Sequence, residues 1–230
     1  MNTQAEYFQR LVAAYIRGKL LPDQQHPALF NKPIDELSIG EVQILIQLAH
    51  HQELRLHRFK CTLELPRVRK VLGILKGIQP RNLLDIGSGR GAFLWPLLES
   101  FPSLPVTCVD VLDYRVADIQ AVQRGGIDQL SSLNADVTAL PFAERTFDVV
   151  TLLEVLEHIP NTHLTLSEVC RVACKFVILS VPSKKDNNPE HIHLFDQQSL
   201  QRLLTEQGIQ RVSFDYVSNH IIAVARIEQR

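Results

Sequence analysis

The sequence has no excess of charge: 24 Lys and Arg stand against 25 Asp and Glu, a net charge of −1. No global field therefore draws the chain onto nucleic acid or an anionic membrane. There is no apolar run near the roughly 18 residues of a membrane span, and no charged start leading into an apolar export signal. The reading is a cytoplasmic chain without a membrane span. Cysteine is scarce, with residues at 61, 108, 170 and 174. Cys170 and Cys174 stand four apart on a predicted helix, but no second pair completes a zinc set, so all four read as free thiols. Internal repeats and low-complexity segments are absent. What remains, 45% hydrophobic and 21% charged residues in 230, is ordinary for one globular domain, or one domain with an appendage.

Hydrophobic spacing divides the chain in two. Residues 5–18 carry Phe8, Leu11, Val12, Tyr15 and Ile16 at one-faced helical spacing. Pro22, Pro27 and Pro33 predict a loop. Ser38 and Glu41 have the spacing of a capping box and open a second helix running to about Phe59. Pro66 starts a third, with Val68, Val71, Leu72 and Leu75 on one face, ended by Gly77 and Pro80. Beyond this helical segment, strands and helices alternate. Strands are predicted at Leu83–Leu84, Val106–Val109, about Leu130–Leu133, Phe147–Leu153 and Phe176–Val181. Helices are predicted from Phe93, through Val122, from about His163 to Cys174, and from the cap Asp196 to Gln207, closed by Gly208. Gln210–Val217 and His220–Ile227 flank a two-residue connection, which makes them an antiparallel hairpin. Alternation of this kind predicts a doubly wound α/β fold: a mostly parallel seven-stranded sheet with an antiparallel C-terminal hairpin, preceded by helices.

The stretch LLDIGSGRGAFL (83–94) is the most informative. Gly87, Gly89 and Gly91 lie between a strand and a helix start, where glycines permit a sharp turn and close backbone approach to a ligand. Gly87-x-Gly89-x-x-Ala92 also fits a dinucleotide fingerprint, with Asp110 at the distance of a ribose-binding acid. Three features tilt the choice away from a dehydrogenase. Some 80 residues precede the corner, no Tyr-x-x-x-Lys pair follows it (Tyr15 and Lys19 lie far upstream), and the chain ends in a hairpin.

DIGSGRGAF, Asp110 closing the next strand, NADVTALPF (134–142) and FDVVTLLEVLEHI (147–159) together resemble the class I S-adenosylmethionine-dependent methyltransferases over about residues 81–226. The resemblance implies a cofactor-binding domain at 81–230 behind a helical cap or lid at 1–80. It implies that Asp110 accepts from both ribose hydroxyls and that Val111 flanks the adenine. Asp136 and Val137 would meet the adenine's edge and other face, Asp85 and Gly87 would lie by the methionyl end, and Ser88, Gly89 and Gly91 would complete the cofactor-binding loop. Leu153 would close the site. A cofactor without phosphates is consistent with a glycine corner that carries no lysine.

For the acceptor, Glu154, Glu157 and His158 would share one face if 154–158 formed a helical turn. Two readings stay open. In the first, alignment of acceptor and methyl does most of the work, with His158 assisting as general base and Glu154 counted with it as catalytic; in its plainest form Glu154 only faces the cofactor pocket and His158 caps a helix. In the second, Glu154, Glu157 and His158 hold a divalent metal, with His193 preferred to His191 as fourth ligand because Leu194 and Phe195 would anchor its loop. The run Glu-x-x-Glu-His is similar to that of ubiquinone-pathway O-methyltransferases and small-RNA 3′-terminal 2′-O-methyltransferases, which use a metal. Residues 50–76 carry seven Lys/Arg against Glu53 and Glu64, a local charge of +5 that an anionic acceptor or RNA could use. Phe59 is the only aromatic there, too few for base stacking. The function inferred is methyl transfer to a small-molecule acceptor, with O-methylation favoured. RNA methylation and a non-catalytic methyltransferase-fold binding protein are the alternatives, and oligomeric state stays open.

Overall fold

Buried apolar runs supply the strands, and glycines and caps separate them from the helices. The computed structural model describes residues 6–20, 27–61, 65–185 and 187–228; the loop expected around Pro22 and the charge of Glu64 lie outside them. The elements are α1 (Gln9–Lys19), α2 (Pro27–Asn31), α3 (Ile39–His51), α4 (Pro66–Ile78), β1 (Leu83–Ile86), α5 (Leu94–Ser100), β2 (Val106–Asp110), α6 (Asp113–Arg124), β3 (Leu130–Asn134), β4 (Phe147–Leu153), α7 (Thr162–Val172), β5 (Ala173–Pro182), α8 (Gln197–Glu206), β6 (Arg211–Val217) and β7 (His220–Arg226). The strands form one seven-stranded sheet in the order β3-β2-β1-β4-β5-β7-β6. β1 pairs in parallel with β2 and β4, and β7 alone runs against the other strands, pairing antiparallel with β5 and with β6. The doubly wound sheet expected from sequence is thus present. The strand order reverses between β1 and β4, which opens a crevice at their C-terminal ends.

Two cores cover the sheet. One face packs α7 and α8 through residues such as Leu166, Val169, Leu200 and Leu204. The other packs α4, α5 and α6, and its core is continuous with Leu11–Ile16 of α1 and with Val42, Leu45 and Ile46 of α3. Leu11 to Ile16 are six consecutive buried residues, so α1 is enclosed on every side rather than amphipathic. Its contact with α6 is unusually close. A Cβ on Gly18 would fall on the carbonyl oxygen of Ala121, and one on Gly125 on that of Ala14. Asp118 of α6 fastens the crossing. It accepts from Tyr15 Oη at 3.3 Å and pairs with Lys19 at 2.8 Å and with Arg58.

Three local expectations are corrected. The second helix ends at His51, not near Phe59, because Glu53 takes a left-handed backbone (φ 56°) and Leu54 N donates back to Ala49 O at 2.9 Å. That reversal tucks Leu56 and Phe59 into the core, where 57–59 form a 3₁₀ turn. Pro27, read as loop, starts the short helix α2. Cys174 lies on β5 and not on the helix with Cys170, because Ala173 is already extended and pairs with Phe147. The capping box of Ser38 and Glu41 forms as expected, and Asp196 caps α8.

The α1–α6 crossing yields the first prediction. Gly18→Ala and Gly125→Ala should each destabilise the protein by about 1–3 kcal/mol, the cost of overpacking. Thermal unfolding reads this as a lowered Tm. An unchanged Tm in both variants would mean that the two helices are not in close backbone contact.

Candidate functional site

The crevice at the β1/β4 reversal is a cavity of about 980 Å³. Every residue expected at the cofactor lines it except Gly91. Gly87, Gly89 and Gly91 all take positive φ (67°, 56° and 82°), so the turn after β1 needs their freedom. Gly91 serves the loop from behind: a Cβ there would overlap the indole of Trp95, whose Nε1 donates to Arg90 O at 2.9 Å.

Two buried carboxylates stand at the strand ends. Asp110, last residue of β2, accepts from Gly89 N at 3.1 Å and from Leu112 N at 3.0 Å, and Arg115 lies 3.5 Å away. The glycine loop is thereby tied to the end of the neighbouring strand. Asp85, on β1, accepts from Thr151 Oγ1 at 2.7 Å through Oδ1. Its Oδ2 is enclosed and has no hydrogen-bond partner among the described residues. Burial pushes the Asp85 pKa up to about 6, with the charge of Asp110 adding to the rise and hydrogen bonds from Ser88 and Thr151 opposing it. Asp136 accepts from Thr138 N and Oγ1, both at 2.8 Å, which closes an Asx turn at the cavity rim. Val111 is 60% exposed at the same rim, whereas Val137 is buried.

The run after β4 is arranged differently from the helical turn expected over 154–158. Glu154 N donates to Ser180 O at 3.0 Å, so the residue stays attached to β5 and takes φ 60°. Only 156–158 then coil, as a 3₁₀ turn. The Glu154 carboxylate faces β5 and β7, taking Ser180 Oγ at 2.7 Å and His220 Nε2 at 2.9 Å, with Arg67 Nε at 3.7 Å. His158 Nδ1 lies 3.0 Å from Glu190 O, and its ring is 4.8 Å from that of His191. His193 instead directs Nε2 to Ile159 O at 3.1 Å and packs on Phe195. The ligand set Glu154, Glu157, His158 and His193 therefore does not assemble. Among the described residues, the group whose ligand atoms lie within 4.8 Å of one another is Glu157, His158 and His191. The reason lies in the anchor: Phe195 is buried but Leu194 is 57% exposed, so Phe195 alone carries His193 away from His158.

Sequence reasoning missed Arg67 and Val68 of α4, which also line the cavity, and Arg115 and Glu190. Arg67 had been one member of the basic run, and nothing local distinguishes it. Four of that run's seven cations are paired to other segments: Arg58 to Asp118, Lys60 to Glu6, Arg67 to Glu154 and Lys70 to Asp215. Phe59 is fully buried. No helix among the described residues is long and apolar enough to cross a membrane.

Comparison with known proteins agrees with this geometry. The family model described as a methyltransferase domain matches residues 84–179. The ubiquinone biosynthesis O-methyltransferase of Nitrosomonas europaea is 30% identical over 139 residues, covering 57% of this chain and 57% of its own length. The malonyl-[acyl-carrier protein] O-methyltransferase of Geobacter sulfurreducens is 26% identical over 107 residues, 46% of this chain and 40% of that protein. The chain thus spans about half the length of such relatives. Magnesium protoporphyrin IX methyltransferase of Synechocystis PCC 6803, solved with bound SAH, superposes with a TM-score of 0.55 at 16% identity, covering 84% of this chain and 89% of that one. Residues 84–179 thus carry a methyltransferase domain, in a fold shared with solved S-adenosylmethionine-dependent methyltransferases.

Proposed function

We propose that the protein transfers a methyl group from S-adenosylmethionine to a small-molecule acceptor, an oxygen nucleophile being favoured. The observation that carries the reading is the pairing of Asp110 with the partnerless Oδ2 of Asp85 in one glycine-lined cavity. The donor set suits this cofactor. A ribose diol needs a bidentate acceptor, which Asp110 offers. An α-ammonium needs an anion, which Asp85 Oδ2 offers, and an α-carboxylate needs a cation, which Arg67 offers. Val111 and Val137 provide apolar contact for adenine, Asp136 can meet its edge, and Leu153 closes the floor. Glycines leave room for backbone approach where no phosphate has to be held. The helical segment ahead of β1 acts as a cap, through Arg67 and Val68. At about 980 Å³ the cavity is at the upper end of the ~300–1,000 Å³ typical of ligand sites, leaving space for an acceptor.

When bound, S-adenosylmethionine supplies a methyl group made electrophilic by its sulfonium. The chain's own contribution is alignment and one proton transfer. A carbonyl oxygen can only accept, so the contact with Glu190 O requires the proton on His158 Nδ1 and leaves a lone pair on Nε2. His158 lines the cavity and takes the acceptor's proton at Nε2 as the oxygen attacks. Glu154, engaged by Ser180 and His220, positions Arg67 and is not the base. The RNA alternative loses support from the paired basic run and the buried Phe59. A non-catalytic scaffold has no need of an intact glycine corner. A metal-assisted version rests on one observation, the Glu157–His158–His191 group; the set containing Glu154 and His193 does not fit a metal.

Calorimetry with S-adenosylhomocysteine tests the cofactor site. Wild type should bind, and Asp110→Ala should lose about 1.5–3 kcal/mol, the scale of hydrogen bonds to a charged group. Binding of NAD with none of S-adenosylhomocysteine would sink the assignment.

The affinity should also depend on pH. An ammonium beside Asp85 lowers its pKa from the value of about 6 in the free protein, so the ligand prefers the ionised carboxylate. Affinity is therefore full above about pH 6 and falls as pH drops through it, approaching tenfold per unit. Asp85→Asn should weaken binding and flatten that slope; an unaltered slope in the variant would remove Asp85 from the site.

His158→Ala should lower the transfer rate by roughly 10²–10⁴-fold while leaving S-adenosylhomocysteine affinity unchanged, with chelators having no effect. Loss of activity on chelation, with His191→Ala as damaging as His158→Ala, would favour the metal-assisted version instead.

A further inference from the structure

At the opposite end of the sheet from the cavity, where β4 and β5 begin and β7 ends, lies a second hollow of about 470 Å³. Arg211 opens β6, Arg226 closes β7, and the two are direct partners in the antiparallel register. Directly opposed residues project from the same face with Cβ atoms about 5 Å apart, and like charges so placed repel. Both arginines are exposed, and neither guanidinium has a hydrogen-bond or ion-pair partner among the described residues. Phe176 of β5 is the next residue in that row, opposite Arg226, and lines the hollow beside them.

The surroundings add positive charge. Lys175 lines the hollow and pairs with Asp148 at 2.7 Å, and Asp148 also takes Arg81 at 3.2 Å. Arg145 Nη2 donates to Glu228 O at 3.3 Å. The hollow itself is lined by three cations (Lys175, Arg211, Arg226) and one acid (Glu228), in a chain whose net charge is −1. Asp148 is consumed by its own two partners, and these hold its pKa below the ordinary carboxylate range despite burial, which pushes it up. It does not neutralise the arginine pair.

We propose that this hollow binds a small phosphate-bearing anion. Two guanidiniums held in register by a β-ladder present parallel forks to phosphate oxygens, the geometry that favours arginine over lysine in such sites. An anion between them turns a repulsive pair into an attractive one. Phe176 and Ile227 give an apolar wall against the non-phosphate part. The small size of the hollow favours a compact ligand over a nucleic-acid strand, which needs a long groove and stacking aromatics. The proposal is independent of what the methyl-transfer cavity binds.

Inorganic pyrophosphate is the probe, titrated by calorimetry into the full chain at about 0.15 M ionic strength, where exposed charges more than about 8 Å apart are screened. The expected result is saturable one-to-one binding. Arg211→Gln and Arg226→Gln should each weaken it at least tenfold, while Arg69→Gln, an exposed cation elsewhere, leaves it unchanged. Without ligand, the Arg211→Gln and Arg226→Gln variants should melt at or above the wild-type Tm, since each removes a like-charge contact; this separates loss of a site from loss of folding. S-adenosylhomocysteine affinity should stay the same. Absence of saturable binding into the millimolar range would overturn the proposal. So would binding that both variants retain, or binding of a short single-stranded RNA that depends on the two arginines and that pyrophosphate does not displace.

Discussion

The glycine loop keeps its shape because Trp95 fills the space behind it. With no Cβ on Gly91, the indole lies directly against the loop backbone and donates Nε1 to Arg90 O. Trp95 is itself held by a run of rings. Its ring centroid is 4.8 Å from that of Phe59, and Phe59 is 5.0 Å from Tyr15 of α1. Tyr15 in turn donates to Asp118 of α6. Burial, reinforced by the nearby Asp118 charge, raises the Tyr15 pKa to about 12, so the phenol stays a donor over the physiological range. The helical segment ahead of β1 therefore braces the loop through packing before any question of lid or cap arises. Aromatic pairs of this kind add about 0.5–1.5 kcal/mol each beyond their buried area.

On the open side of the same loop, hydrogen bonds take over. Asp110 is filled from two directions by backbone N–H groups of Gly89 and Leu112. Asp85 is half satisfied, and a buried polar atom without a partner costs about 1–3 kcal/mol. Such a cost is tolerated at ligand sites, where binding repays it. The two carboxylates thus differ in kind: Asp110 shapes the loop in the free protein, whereas Asp85 is left short of a cation.

Glu154 shows where local reading fails. Glu154, Glu157 and His158 have helical spacing, and in isolation that spacing would bring them to one face. Pairing of Glu154 N with Ser180 O extends the sheet by one residue and rotates the carboxylate toward His220, some 66 positions along the chain. His191 and His193 exchange roles for a similar reason, since burial of Phe195 decides which ring turns toward His158. The end of α3 at His51 follows the same logic, because Leu56 and Phe59 gain more from the core than a longer exposed helix would provide.

The sequence by itself determined the features whose causes lie within a few residues. These are the capping boxes at Ser38 and Asp196, the buried runs of β4 and β5, the glycine turn after β1, and Asp110 at the end of its strand. Hydrogen bonds between near neighbours and the period of apolar side chains carry that information. Only the tertiary structure decided which distant groups meet. Arg67 reaches the cavity because α4 packs over β6 and β7, and Arg211 faces Arg226 because the hairpin has one register. Asp85 keeps a free oxygen because Thr151, on the neighbouring strand, supplies a single donor. Such contacts depend on helix placement and strand register, which are set by the packing of the whole chain rather than by any one segment.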